Sequence, residues 1–325
     1  MPLQSNQFVL AVRAGGGGAA LPALSSFALV GDSLTQYGFF TVALNAVTLT
    51  RDASGVVTFT KTAHGLSGST NPVYLANCTD ASYDGEYIAT AVDANNLSLT
   101  GGLAGAGGTT VTAGLGAISQ TNRIGRRGLF PWFNSSTGGG LRLVGEYGQG
   151  ADGAEHMEAA TALALSKNPD AIVLEAGIND CYALNLSAAT AWANIKARID
   201  QINAGGNTAV CCAITPVLKA YSSYSAGKFA NSLQVNSDLQ AYCNASPSNR
   251  VFVDTFTPLY EIAADQAYSW ATTDGIHWST AAAKLVGEAV NAALSSRTST
   301  SPTLLPENSG DTGAVGLLTN VVVKG

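Results

Sequence analysis

The sequence predicts an α/β fold, a three-layer domain on a parallel five-stranded sheet, together with a small inserted all-β domain. Three observations lead there. Short apolar runs alternate with helix-periodic segments from Leu24 to Phe40 and again from about Thr121 to Arg297. Strands that are apolar throughout are those covered on both faces, as in parallel sheets. Between the two segments, from about Ala43 to Ile118, the chain turns to Thr, Val, Gly and Asn with period-two runs and no helical period. With 325 residues, 46% of them hydrophobic, the chain is long enough for about two domains.

In order along the chain, the expected parallel strands are Ser26–Val30, Leu141–Glu146, Ala171–Glu175, Thr208–Ile214 and Arg250–Val253. The expected helices are Gly153–Lys167, Ala188–Asn203, Ala230–Ala245 and Thr280–Leu294. In the β-region, Val56-Val57-Thr58-Phe59-Thr60 and Glu86-Tyr87-Ile88-Ala89-Thr90 alternate with period two, and Asp93-Ala94-Asn95-Asn96 reads as a hairpin turn. Glycine-dense stretches, Gly101–Gly108 and Gly138–Gly140, are expected to act as flexible joints. The expected division is an arm over 1–22, a discontinuous α/β domain over 23–43 and 119–297, a β-domain over 44–118 and a tail over 298–325. Leu317 to Val323 in that tail has the pattern of an isolated strand.

Composition excludes several classes of function. Charged residues are only 12% of the chain, too few for a solvated disordered polyelectrolyte. A net charge of -6 leaves no basic stripe for a nucleic-acid backbone. No apolar stretch reaches the ~18 residues of a membrane helix, and Phe8 to Val12 is too short for a signal-peptide core. The five cysteines, Cys78, Cys181, Cys211, Cys212 and Cys243, are odd in number and lack Cys-x-x-Cys spacing. That argues against a metal cluster or a disulfide framework and favours small buried hydrophobes. No Gly-x-x-x-x-Gly-Lys occurs, and Gly15–Gly18 precedes no helix-forming run, so no phosphate-binding loop is expected.

Three short runs carry candidate chemistry. Gly31-Asp32-Ser33-Leu34 sets a serine directly after an apolar strand, where a glycine permits a tight turn; a helix cap is the alternative role for it. Val173 to Asp180 ends another strand in Gly177-Ile178-Asn179-Asp180, which places the Asn179 amide at the crevice where α/β sheets bind ligands. Thr273-Asp274-Gly275-Ile276-His277-Trp278 sets a carboxylate three residues before a histidine. A buried aspartate there holds the imidazole tautomer that can deprotonate serine. Only His64 and His156 compete as bases, and neither has a carboxylate spaced as that of His277. Trp278 is a candidate wall of an acyl pocket, and Trp132 in Phe130-Pro131-Trp132-Phe133 a candidate for the same or for core.

These runs, in this order, resemble the SGNH/GDSL hydrolases over almost the whole α/β region. The resemblance implies a flavodoxin-like sheet of order 2-1-3-4-5 and ester hydrolysis with no metal or other cofactor. It implies Ser33 as nucleophile, His277 as general base and Asp274 as its orienting partner. It also implies an oxyanion hole of the Ser33 N–H, the Asn179 amide and a glycine after the second strand. Here Glu146 to Gly153 lacks the family's asparagine; distance from the strand's end makes Gly150 the expected donor, with Gly148 and Ala151 as alternatives.

The β-region is similar to small β-modules of bacteriophage tail proteins over Val57–Leu66, Asp80–Tyr87 and Val92–Leu97. That resemblance implies a virion-associated esterase removing acyl groups such as O-acetyl from bacterial surface polysaccharide, with tail proteins or further copies of the chain as partners. Tyr74, Tyr83 and Tyr87 are candidate sugar-stacking rings, though strand tyrosines usually pack. A non-catalytic glycan-binding tail module and a lipid or aryl esterase are the competing readings.

Overall fold

The computed structural model describes residues 21–298 apart from 37–38, 44–47, 53–55, 65–67, 69–70, 76–77, 81–82, 84, 101–109, 113–116, 125–127 and 149. The strand pattern in 317–323, the Gly101–Gly108 stretch and nearly all of the N-terminal arm lie outside the described residues.

Five strands form the expected parallel sheet: β1 (Ser26–Gly31), β10 (Arg142–Gly148), β11 (Ala171–Glu175), β12 (Thr208–Cys212) and β13 (Arg250–Val253). Their order is β10-β1-β11-β12-β13, every pair parallel, which is the predicted 2-1-3-4-5. Strands β1, β11 and β12 are buried along their entire length, which explains why they carry no polar alternation.

Helices cover the sheet in two groups. One is α2 (Leu129–Ser136) packed on α6 (Thr280–Leu294); the other runs through α3 (Glu158–Ser166), α4 (Ala188–Ala204) and α5 (Ala226–Asn244). Each long helix buries one stripe: Ala191, Ile195, Ile199 and Ile202 in α4, and Ala282, Val286, Val290 and Leu294 in α6. Gly287 lets the α2 and α6 backbones touch, since a Cβ there would lie 2.7 Å from both Leu129 O and Phe133 N.

Antiparallel strands form a second sheet, of order β2-β9-β5-β6-β7-β4-β3-β8. They are β2 (Phe39–Ala43), β3 (Thr48–Arg51), β4 (Val57–Thr60), β5 (Asn71–Leu75), β6 (Gly85–Ala91), β7 (Asn96–Thr100), β8 (Thr110–Thr112) and β9 (Ala117–Ile124). Strands β2 and β9 reach beyond the 44–118 stretch on both sides. A separate core of Leu49, Val57, Phe59, Val73, Leu75, Leu97 and Leu99 lies against this sheet. The Asp93 turn forms as expected: its carboxylate accepts the N–H groups of Asn95 (2.7 Å) and Asn96 (2.9 Å).

Several expectations are corrected. The fourth parallel strand stops at Cys212 because the Asn236 side chain takes both backbone groups of Ile214, at 2.7 and 2.9 Å. The helix expected over Gly153–Lys167 is a short 3-10 turn, Ala154–His156, followed by α3, broken at Met157. Helix α5 starts four residues before Ala230, because the Ser225 hydroxyl accepts the Lys228 N–H and caps it. Gly138 and Gly139 do not form a loose joint. They close α2 with positive φ, donating to Ser135 O and Asn134 O, while the Asn134 side chain accepts the Leu141 N–H.

Candidate active site

The parallel register brings three strand ends level, Gly31 facing Gly148 on one side and Glu175 on the other. Loops leaving this carboxyl edge are where α/β sheets place ligand-binding groups. Ser33 opens the short helix α1 (Ser33–Gln36). The preceding turn is tight: a Cβ on Gly31 would sit 2.1 Å from Thr35 Oγ1 and 2.5 Å from Glu175 O. The Asp32 N–H donates to Glu175 O (3.2 Å) and its Oδ1 accepts the Leu34 N–H (2.9 Å), so the serine is held from both sides.

His277 arrives on a compact loop between the short strand Gln266–Ala267 and α6, closed by a Thr272–Trp278 bridge and by the Thr273 N–H donating to His277 O (2.8 Å). Gly275 takes φ +99° with its Cα side against Tyr221. Within the loop, Asp274 Oδ1 accepts the Ile276 and His277 N–H groups, and Oδ2 accepts His277 Nδ1–H at 2.6 Å. The other ring nitrogen, Nε2, lies 2.9 Å from Ser33 Oγ and accepts its O–H. The tautomer follows from these partners: a carboxylate can only accept, so Nδ1 carries the proton.

Asp274 departs from the expected buried aspartate; its side chain is 53% exposed. Its partial burial pushes the carboxyl up, but hydrogen bonds from the His277 ring and backbone outweigh that and hold it below the usual carboxylate range. Orientation of the ring therefore rests on three hydrogen bonds to one carboxylate, with solvent at hand.

Asn179 is buried just past β11, reached through Gly177 at φ +109°. One N–H of its side-chain amide donates to the Asp152 carbonyl at 3.0 Å. Gly150 lies buried in the turn after β10. Of the alternatives, Gly148 already donates its N–H to Glu146 Oε1 (3.1 Å), while Ala151 is exposed at φ +65°.

Sequence reasoning missed the acids behind these loops. The Asp180 carboxylate accepts the Ala154 N–H (2.9 Å) and the Asn194 amide (3.4 Å), tying the turn after β10 to the one after β11. His156 has no carboxylate at the three-residue spacing of His277, but one at four residues: its Nδ1 is 2.6 Å from Asp152 Oδ1. It is engaged there, and His64 is buried in the antiparallel sheet with Nε2 2.8 Å from the Asp93 carbonyl. Trp278 is part of the core, with its indole N–H on Thr215 Oγ1 at 3.3 Å. Trp132 packs against the same core. Acids at strand ends within apolar runs, Glu146 and Glu175, were the available signal.

The family model of GDSL-like lipase/acylhydrolases matches residues 27–290, from the first parallel strand through most of α6. The chain belongs to this family. The GDSL-like lipase/acylhydrolase is accordingly a carboxylic ester hydrolase. Among solved structures, this GDSL hydrolase is similar to a lipase/acylhydrolase from Enterococcus faecalis (14% identity, 84% of this chain and 97% of that one, TM-score 0.47). It is also similar to an acetylxylan esterase from Geobacillus stearothermophilus (12%, 85% and 96%, 0.47) and a GDSL-like lipase from Bacteroides thetaiotaomicron (17%, 51% and 79%, 0.44). No curated protein matches it in sequence. Among its described residues, no helix is long and apolar enough to cross a membrane.

Proposed function

We propose that this hydrolase works by two-step acyl transfer with Ser33 as nucleophile, His277 as general base and Asp274 as the group that orients it. The carrying observation is the relay from Ser33 Oγ to His277 Nε2 (2.9 Å) and from Nδ1 to Asp274 (2.6 Å). Ser33 attacks the ester carbonyl while His277 takes its proton, then returns it to the leaving alcohol. Water, deprotonated by the same imidazole, releases the acid. The oxyanion is held by the N–H groups of Ser33 and Gly150 and by the Asn179 amide, each such donor contributing on the order of 10²–10³ in rate. Assigning Gly150 rather than its neighbours rests on Gly148 being already bonded and Ala151 being exposed.

The substrate in this reading is a short acyl ester, an O-acetyl group on bacterial surface polysaccharide, and the protein is a component of a phage tail. Support comes from the eight-stranded antiparallel sheet that the chain forms between β1 and β10; reading it as a tail module rests on the resemblance of its sequence alone. Two of the three candidate stacking rings do other work: Tyr83 is buried in the β-core and Tyr87 donates its hydroxyl to Tyr83 O (2.8 Å). The test is an acyl-chain series of p-nitrophenyl esters beside O-acetylated polysaccharides, with wild type and Ser33→Ala. Preference for acetyl and release of acetate from glycan, both lost in Ser33→Ala, supports the reading. Full turnover by Ser33→Ala overturns the mechanism, and a preference for long chains overturns the substrate.

A further inference from the structure

Directly behind the nucleophile turn two carboxyl groups lie together in the protein interior. Asp32 is fully buried and Glu175 is 5% exposed. They meet because β1 and β11 pair in register up to Gly31 and Glu175, so the next residue of β1 sits over the end of β11. Asp32 Oδ1 is satisfied by the Leu34 N–H, but Asp32 Oδ2 is buried with no donor facing it among the described residues. The Glu175 carboxyl faces Asp32; its Oε2 accepts a long bond from the Thr35 hydroxyl, at 3.4 Å, and the backbone N–H groups of Thr35 and Asp32 also face it.

The other titratable groups facing the pair are Asp180, beyond β11, and the Cys212 thiol on β12; neither brings a positive charge. Among the described residues no Lys, Arg or His forms an ion pair with either carboxyl. Two adjacent carboxylates out of water and without a counter-cation cannot both stay ionised, and a proton between them removes the repulsion while supplying the missing donor.

We propose that Asp32 and Glu175 hold one proton between them, Asp32 donating its O–H from Oδ2 to the Glu175 carboxylate, and that this pair positions the turn that presents Ser33. The positioning role rests on Ser33 being the nucleophile; the shared proton does not. Burial, then the facing Glu175, drives Asp32 far above the ordinary carboxylate range, in keeping with its being the acid. Asp32 is a positioning residue: one oxygen fixes the first N–H beyond Ser33 and the other is anchored to β11.

The full-length protein tests this through Asp32→Asn, whose amide donates to Glu175 while its oxygen accepts the Leu34 N–H, without a titrating proton. Infrared spectra at pH 8, where exposed carboxyls are ionised, are expected to contain a carboxylic-acid C=O band that weakens in Asp32→Asn. Glu146→Gln identifies any part of that band due to the other buried acid at the sheet edge. An acid band unchanged in Asp32→Asn overturns the shared proton whatever the enzyme's activity. Kinetically, Asp32→Asn is expected to keep kcat within about threefold at pH 7 with KM unchanged, and to lose an alkaline fall in kcat that wild type displays. Asp32→Ala is expected to lose more than tenfold in kcat. An Asn variant as poor as the Ala variant, or one that retains the alkaline fall, overturns the positioning role. Full activity in Ser33→Ala instead removes the nucleophile reading and leaves the infrared result standing.

Discussion

The side-chain amide of Asn179 donates to the backbone carbonyl of Asp152, 27 residues earlier, at 3.0 Å. The bond joins the turn after β10 to the turn after β11, so the two halves of the proposed oxyanion hole are built as one unit. Asn179→Ala is expected to lower kcat for p-nitrophenyl acetate by about 10²–10³. It is also expected to lower thermal stability, since the Asp152 carbonyl loses its partner at a cost of about 1–3 kcal/mol. A variant that loses stability but keeps full kcat would confine Asn179 to holding the turn.

Asp274 is open to solvent, and that sets an unusual order among its variants. Asp274→Asn must present either an amide donor to Nδ1 or a poorer acceptor, and it favours the wrong imidazole tautomer, a defect of about 10⁴ in kcat where the same relay has been tested. Asp274→Ala leaves a gap that water can enter and accept from Nδ1–H. The alanine variant is therefore expected to retain more activity than the asparagine variant in steady-state kinetics.

Gly31→Ala is expected to fail structurally. Its Cβ would lie 2.1 Å from Thr35 Oγ1 and 2.5 Å from the Glu175 carbonyl. The hydroxyl can be removed but the backbone oxygen cannot, so Thr35→Ala should rescue Gly31→Ala only in part. Denaturant melts of the single and double variants check this, with an expected loss of about 1–3 kcal/mol or more from overpacking.

Buried acids make stability fall toward alkaline pH. Glu175 is pushed up to about 7, chiefly by burial, and Asp32 and Glu146 are also raised well above the usual carboxylate range, chiefly by burial. A carboxyl raised in the folded state binds a proton that the unfolded chain gives up near pH 4.5, so its contribution is complete below that value and is lost as pH rises through the folded one. Melting temperature is therefore expected to decline from about pH 5 through pH 7 and beyond, more steeply in wild type than in Glu175→Gln.

All five cysteines are free thiols inside the protein. Burial lifts Cys181 to about 12, so it is also poorly ionised. A chromogenic disulfide reagent at neutral pH is expected to titrate no thiol in the native protein and five after denaturation.

Much of this architecture was legible because burial on both faces leaves a plain trace: Ala171–Glu175, Arg250–Val253 and Thr280–Leu294 run as read from the sequence. Ser33, Asn179, Asp274 and His277 were legible because each follows a strand end or sits at a spacing with few innocent uses. What escaped was decided by side chains reaching across the fold. Asn236 ends β12 from helix α5, Asp180 holds Ala154 from another loop, and the exposure of Asp274 depends on what neighbours it lacks. None of those long-range partners is encoded in local pattern.

Ser33 and His277 touch across 244 positions of chain. Translation therefore releases an interior strand of the parallel sheet and the proposed nucleophile long before the loop that carries its proposed base. A ribosome-bound chain short of Asp274 carries an inert serine and an apolar strand, β1, whose neighbours β10 and β11 are still to come, a state that invites aggregation and chaperone binding. On the proposed mechanism, a chain gains esterase activity only once the loop bearing Asp274 and His277 has been made and folded onto the Ser33 turn.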